Sequence, residues 1–189
     1  SSNNTWIVKI RKKATWHDGK PITAEDLKFT LETCWKYDAL IGDGSKNYVE
    51  SITVKDSKTA VFRLKDKLAA FATVIGRVTP IPKHIWSSVG DITKFTNPNP
   101  VGSGPFKYVK YEQGSFLSMT ANKSHWKGAP AMDELVIRVF ANVQAQAVAL
   151  KKGEVDFLPD LTGNENLLRV LETDKNIKVH MDVSNNIFY

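Results

Sequence analysis

His17-Asp18 is the most enzyme-like pair in this sequence, a base directly followed by a carboxylate that could orient it. Adjacent side chains on a turn point apart, and the Gly19-Lys20-Pro21 that follows is turn chemistry, so the pair reads first as structure. The remaining histidines, His84, His125 and His180, are far apart and make no metal-binding spacing. Cys34 is the single cysteine, which excludes an internal disulfide and an all-cysteine metal site. Glu154 and Asp156 would face one side of a strand, like a hydrolytic carboxylate pair, but an acidic pair at this spacing is commonplace and reads first as a solvated or salt-bridged edge. Gly102-Ser103-Gly104 lacks a following Gly-Lys-Ser/Thr and leads into Pro105 and a strand, so it is not a nucleotide loop. There is no G-x-S-x-G elbow. Of five tryptophans, Trp6 and Trp35 fall in core periodicity, while Trp16, Trp86 and Trp126 stay open as platforms for a sugar or peptide. These residues specify an α/β domain without a visible active site.

The elements that would position them follow from periodicity. Residues 6–11 alternate as a half-buried strand. Thr23-Ala24-Glu25-Asp26 predicts a helix start with a capping box, and Leu27, Thr30, Leu31, Cys34 and Trp35 follow at helical spacing, with Cys34 facing the core. Residues 51–55 and 59–64 around Asp56-Ser57-Lys58 predict a hairpin. Residues 69–75 predict a short helix, and Pro82 opens another through Trp86. Asn97-Pro98-Asn99-Pro100 marks the clearest boundary. Beyond it, strands are expected at 106–111, 115–121, 155–158 and 177–183, with a more fully buried one at 135–140. Helices are expected at 144–152, closed by Gly153, and at 164–174. Helices alternating with strands in the second half imply an α/β fold with a mixed sheet and flanking helices.

The chain has 189 residues, 42% hydrophobic and 24% charged, enough for one domain or two small subdomains sharing a core. No stretch is long and apolar enough for a membrane-spanning helix, and Ser1-Ser2-Asn3-Asn4 does not read as a signal peptide. The net charge of +6 raises nucleic acid as a partner. The lysines are scattered and alternate with apolar residues, which fits a generally basic surface and no nucleic-acid site.

Five spaced motifs add a resemblance. Trp6 to Arg11 followed by Thr15-Trp16-His17-Asp18-Gly19-Lys20-Pro21-Ile22-Thr23-Ala24-Glu25-Asp26-Leu27 resembles the signature of the dipeptide, oligopeptide and nickel class of ABC-transporter solute-binding proteins (solute-binding family 5). Ile10, Trp16 and Leu27 stand where that family has leucine, phenylalanine and valine. Pro80-Ile81-Pro82-Lys83-His84 is similar to its P-x-P-K-H segment, and Pro100-Val101-Gly102-Ser103-Gly104-Pro105-Phe106 to its P-V-G-T/S-G-P-F turn. Asn122-Lys123-Ser124-His125-Trp126-Lys127-Gly128-Ala129-Pro130 is similar to N-x-x-Y-W-x-G-x-P, with His125 for the usual tyrosine. Ala149-Leu150-Lys151-Lys152-Gly153-Glu154-Val155-Asp156 is similar to A-L-x-x-G-E-V-D.

The resemblance implies part of one lobe of a two-lobed, type II periplasmic-binding-protein-like fold. Residues 1–98 would be a side subdomain of lobe one, and 99–189 its central α/β part up to the crossover to a second lobe. It implies the receptor of an ABC importer, a monomer without catalysis or cofactor, periplasmic or extracellular and in places lipid-anchored. Its partners would be a peptide or similar small solute and the membrane permease, with oligosaccharide or chelated metal as alternative cargo. A hydrolase using His17 and Asp18 is the competing reading. Two stretches are expected to wall the cleft: Arg77-Val78-Thr79, and the loop from Asp160 to Asn164, with Arg77 suited to a peptide carboxylate and Asp160 to an amine.

Overall fold

In the computed structural model, residues 4–37, 45–159 and 164–180 are described. The chain forms two compact units, one of residues 1–110 with 118–136, the other of 111–117 with 137–189. Residues 99–110 fall in the first of these units.

The first unit is built on a three-stranded sheet in the order β1-β3-β2, made of β1 (Thr5–Lys9), β2 (Val49–Asp56) and β3 (Thr59–Leu64). Both pairings are antiparallel, with Trp6 opposite Phe62 and Ile52 opposite Phe62 on the other side. The predicted hairpin turns where expected, because the Asp56 carboxylate accepts from the Lys58 amide at 2.8 Å and holds the tip. Helix α1 (Ala24–Tyr37) covers the sheet with the predicted face: Ala24, Leu27, Leu31 and Cys34 are buried. Leu27 and Leu31 pack with Val49, Ile52, Ala60, Phe62, Leu64 and Phe71 in one core. Trp6 closes its edge, its ring centroid 5.4 Å from that of Phe71. Trp35 packs against the same core, and its indole N–H donates to Ser45 Oγ at 2.9 Å from the start of α2 (Ser45–Tyr48). Helices α3 (Phe71–Gly76) and α4 (Lys83–Trp86) form where the sequence predicts.

A second sheet runs in the order β4-β5-β6, from Phe106–Glu112, Phe116–Ala121 and Glu134–Arg138. The expectation of a buried strand at 135–140 does not hold: Val136 and Ile137, on opposite faces of β6, are each half exposed, as is Val139 just beyond it, so neither face of this strand is covered by a described element. Helices α5 (Val143–Lys151) and α6 (Glu165–Glu172) form as predicted, α5 capped by Asn142, whose side chain accepts from the Ala145 amide at 2.9 Å. Residues 155–158 and 177–180 are apolar at alternate positions but form no ladder, since a strand needs a neighbour to pair with. Residues 181–183 of the predicted last strand lie outside the described residues.

Candidate functional site

The Arg77-Val78-Thr79 stretch follows α3 directly: Arg77 caps the helix in helical conformation, and the Val78 amide still donates back to the Ile75 carbonyl at 3.2 Å before the chain reaches Pro80. Exposure alternates along it, with Arg77 and Thr79 outward and Val78 buried in the sheet–helix core. Of the three expected cleft residues, Val78 packs into that core, while Arg77 and Thr79 are exposed. The Thr30 hydroxyl, itself donating to the Asp26 carbonyl at 2.6 Å, accepts from the Ile81 amide at 2.9 Å and pins the segment to α1. Asn164, half-buried, stands at the N-cap position of α6, and Asp160 lies outside the described residues. Between 150–158 and 168–180 the second unit carries a groove of about 840 Å³, with Val155, Phe157, Leu168 and Ile177 in its wall.

His17 and Asp18 do not engage each other; they point to opposite partners. The His17 amide donates to the Gly102 carbonyl at 2.8 Å. Its ring accepts from the Gly102 amide at Nδ1 (3.2 Å), so Nε2 carries the hydrogen and donates to the Gly104 carbonyl at 3.0 Å. Both ring nitrogens are thus occupied by backbone. A side chain at position 102 would meet the His17 ring at 3.2 Å, so a residue larger than glycine would crowd this approach. Asn122 donates to the same Gly104 carbonyl at 3.1 Å, and Lys107 to the His17 carbonyl at 3.2 Å.

Asp18 turns the other way, to His84 Nε2 at 2.6 Å, and accepts from the Lys20 amide at 3.1 Å. Burial pushes the Asp18 carboxyl up, but the hydrogen bonds from His84 and the Lys20 amide, with the charges of both residues, hold it below its usual 3.8. Gly19, at φ +87°, makes this divergence possible by turning the chain where other residues strain.

Asp26 is buried and accepts four times. It takes the Thr23 amide and hydroxyl (2.8 Å each), the Trp16 indole N–H (3.4 Å) and the Lys83 amide at the start of α4 (2.9 Å). The predicted capping box is present, with the Asp26 amide donating back to Thr23 Oγ1 at 3.2 Å. Trp16, left open by the sequence, is buried by this contact and by Ala14 and Ile22. Trp86 stacks edge-on against Phe95, with ring centroids 5.1 Å apart.

Four of the five sequence motifs therefore meet through His17, Asp18, Asp26, His84, Gly102, Gly104 and Asn122, and their chemistry is spent on holding loops. The fifth motif sits in the second unit, where Arg138 Nη1 donates to the Glu154 carbonyl at 3.2 Å and pairs with its carboxylate at 3.5 Å, a salt bridge on a segment that forms no strand. Among the described residues, no group of three or more His, Cys, Asp or Glu side chains is placed to hold a metal ion.

The sequence matches the family described as bacterial extracellular solute-binding proteins, family 5 Middle, over residues 1–189. It is 32% identical over 165 residues to a putative ABC transporter peptide-binding protein of Brucella ovis, an alignment covering 81% of this chain and 30% of that protein. The fold is similar to that of the oligopeptide-binding protein AppA of Bacillus subtilis in complex with a nonapeptide (TM-score 0.75, 28% identity, 82% of this chain and 32% of the other). It is also similar to the mannohexaose-bound periplasmic oligopeptide-binding protein of Thermotoga maritima (TM-score 0.76, 27% identity, 91% of this chain and 33% of the other). The chain spans about a third of the length of these relatives. The motif cluster, the fold and the match along the entire sequence agree: this chain belongs to the bacterial extracellular solute-binding proteins of family 5.

Proposed function

We propose that this chain is part of the receptor of an ABC importer, capturing peptides outside the membrane and delivering them to a permease. Family membership over residues 1–189 is the observation that carries this reading. Within it, Arg77 and Thr79 present polar side chains outward from a segment fixed by Val78 and Thr30, as a wall that must keep its shape during ligand exchange requires. Arg77 suits the carboxylate of a peptide, with a bidentate geometry that lysine lacks. Asp160 and Asn164 are the second half of the proposed wall. Residues 1–98 and 99–189 are assigned to the side and central parts of one lobe, and the receptor acts as a monomer.

Such a receptor closes on cargo because the ligand touches both lobes, and only a differential interaction shifts the open–closed equilibrium. The test is native mass spectrometry of the complete receptor, followed by identification of what denaturation releases. Amino-acid ladders support peptide cargo; hexose increments would replace it with an oligosaccharide. Arg77→Ala is expected to weaken peptide binding about tenfold or more by calorimetry, the loss of one charged hydrogen-bonding partner. Unchanged affinity would remove Arg77 from the site.

A further inference from the structure

We propose that two basic turns of the first unit, at 11–14 and 122–128, form one docking patch for an anionic lipid surface. The first turn closes when the Ala14 amide donates to the Arg11 carbonyl at 3.1 Å, which puts Lys12 and Lys13 at its tip. The second is a double turn, with the His125 amide donating to the Asn122 carbonyl (3.0 Å) and the Gly128 amide to the His125 carbonyl (2.9 Å). The Arg11 guanidinium lies 4.1 Å over the Trp126 ring and joins the two. Arg11, Lys12, Lys13, Lys123 and Lys127 are all exposed around it. Residues 5–17 and 118–132 contain no Asp or Glu, and the carboxylate recorded against these cations is Asp133, 3.5 Å from Lys123.

The patch is more than a charged surface because of Trp126, which is 37% exposed at its centre. An indole with one apolar face and one N–H suits the headgroup level of a bilayer, and lysine stems lie along apolar surface while their ammonium groups reach phosphate. Several cations on turns braced by backbone hydrogen bonds attract an anionic surface additively and lose that attraction with salt. That a membrane is at hand rests on the receptor reading, but vesicle binding is measured without cargo, so either idea can fail alone.

The test is sedimentation of the full chain with vesicles of phosphatidylcholine alone or mixed with phosphatidylglycerol, across a salt series. Binding is expected on the mixed vesicles only, about tenfold or more weaker when Lys12, Lys13 and Lys127 are changed together to glutamate. Changing Lys55, Lys67 and Lys175 to glutamate alters the net charge equally and is expected to leave binding within about twofold. Lipids brominated in the upper acyl chain should quench a tryptophan signal that disappears in Trp126→Phe. Circular dichroism confirms that each variant folds. Equal losses from both lysine triples, binding without quenching, or tighter binding to a soluble polyanion than to the mixed vesicles would each overturn the proposal.

Discussion

Phe62 and Phe157 are the same side chain under opposite conditions. Phe62 is fully enclosed, its ring 5.4 Å from that of Phe71, in a core supplied by three strands and by the helices α1 and α3. Phe157 is 75% exposed on a segment without a pairing strand. The contrast extends to the units around them. The first encloses Trp16, Leu31, Phe62, Leu64 and Phe71, whereas among the described residues of the second Val139, Val148 and Val170 stay open and Leu171 is the large side chain that is fully covered. Both units contain amphipathic helices, α1 in the first and α6 in the second, so burial depends on what each element finds to pack against.

The widest test of this contrast is a pair of substitutions. Phe62→Ala should lower the stability of the first unit by about 4 kcal/mol, and Phe157→Ala should change stability by less than about 0.5 kcal/mol. Urea unfolding followed by tryptophan fluorescence measures both, and comparable losses would break the comparison.

Asp26→Asn sharpens it on the polar side. One acceptor oxygen becomes an N–H group facing the donors of Thr23, Trp16 or Lys83, at an expected cost of about 2–3 kcal/mol in the same assay. A neutral result would mean that the first unit owes its solidity to apolar burial alone.

The smallest expected effect is at Asp18. Its carboxyl titrates below the usual 3.8 when folded, so its stabilising contribution is complete above that value and is lost as the pH falls through the folded pKa. The stability difference between the wild type and Asp18→Asn should hold steady at neutral pH and narrow below about pH 3.8. Thermal melts between neutrality and strong acid read this directly, and a gap that widens in acid would reverse the assigned sign.

Local patterns were legible where the chain itself supplies the partner. The capping box at Thr23 and Asp26, the hairpin around Asp56-Ser57-Lys58 and the buried face of α1 all depend on residues a few positions apart. The segments at 155–158 and 177–180 carry strand-like composition, but pairing is a property of two segments, and no ladder forms there. The burial of Val78 is set by core residues far away in the chain, among them Leu31, Ile52 and Phe62, so nothing in Arg77-Val78-Thr79 itself announces it. The partners of His17 and Asp18, 85 and 66 residues away, leave no periodic trace; the recurrence of family motifs is the signal that reaches that far.

The His17 clasp also bears on the order in which the molecule assembles. The hairpin closes over a handful of residues, while the bond from Gly102 to His17 closes a loop of 85 and that from Lys83 to Asp26 one of 57. Long closures lose more chain entropy and form once local structure has shortened the distance, so the hairpin and α1 should lead and the glycine turn should dock last. In native-state hydrogen exchange, the Gly102 amide should accordingly be released before those of β3: the part of the chain that carries the most recognisable sequence is the last to arrive and the first to leave.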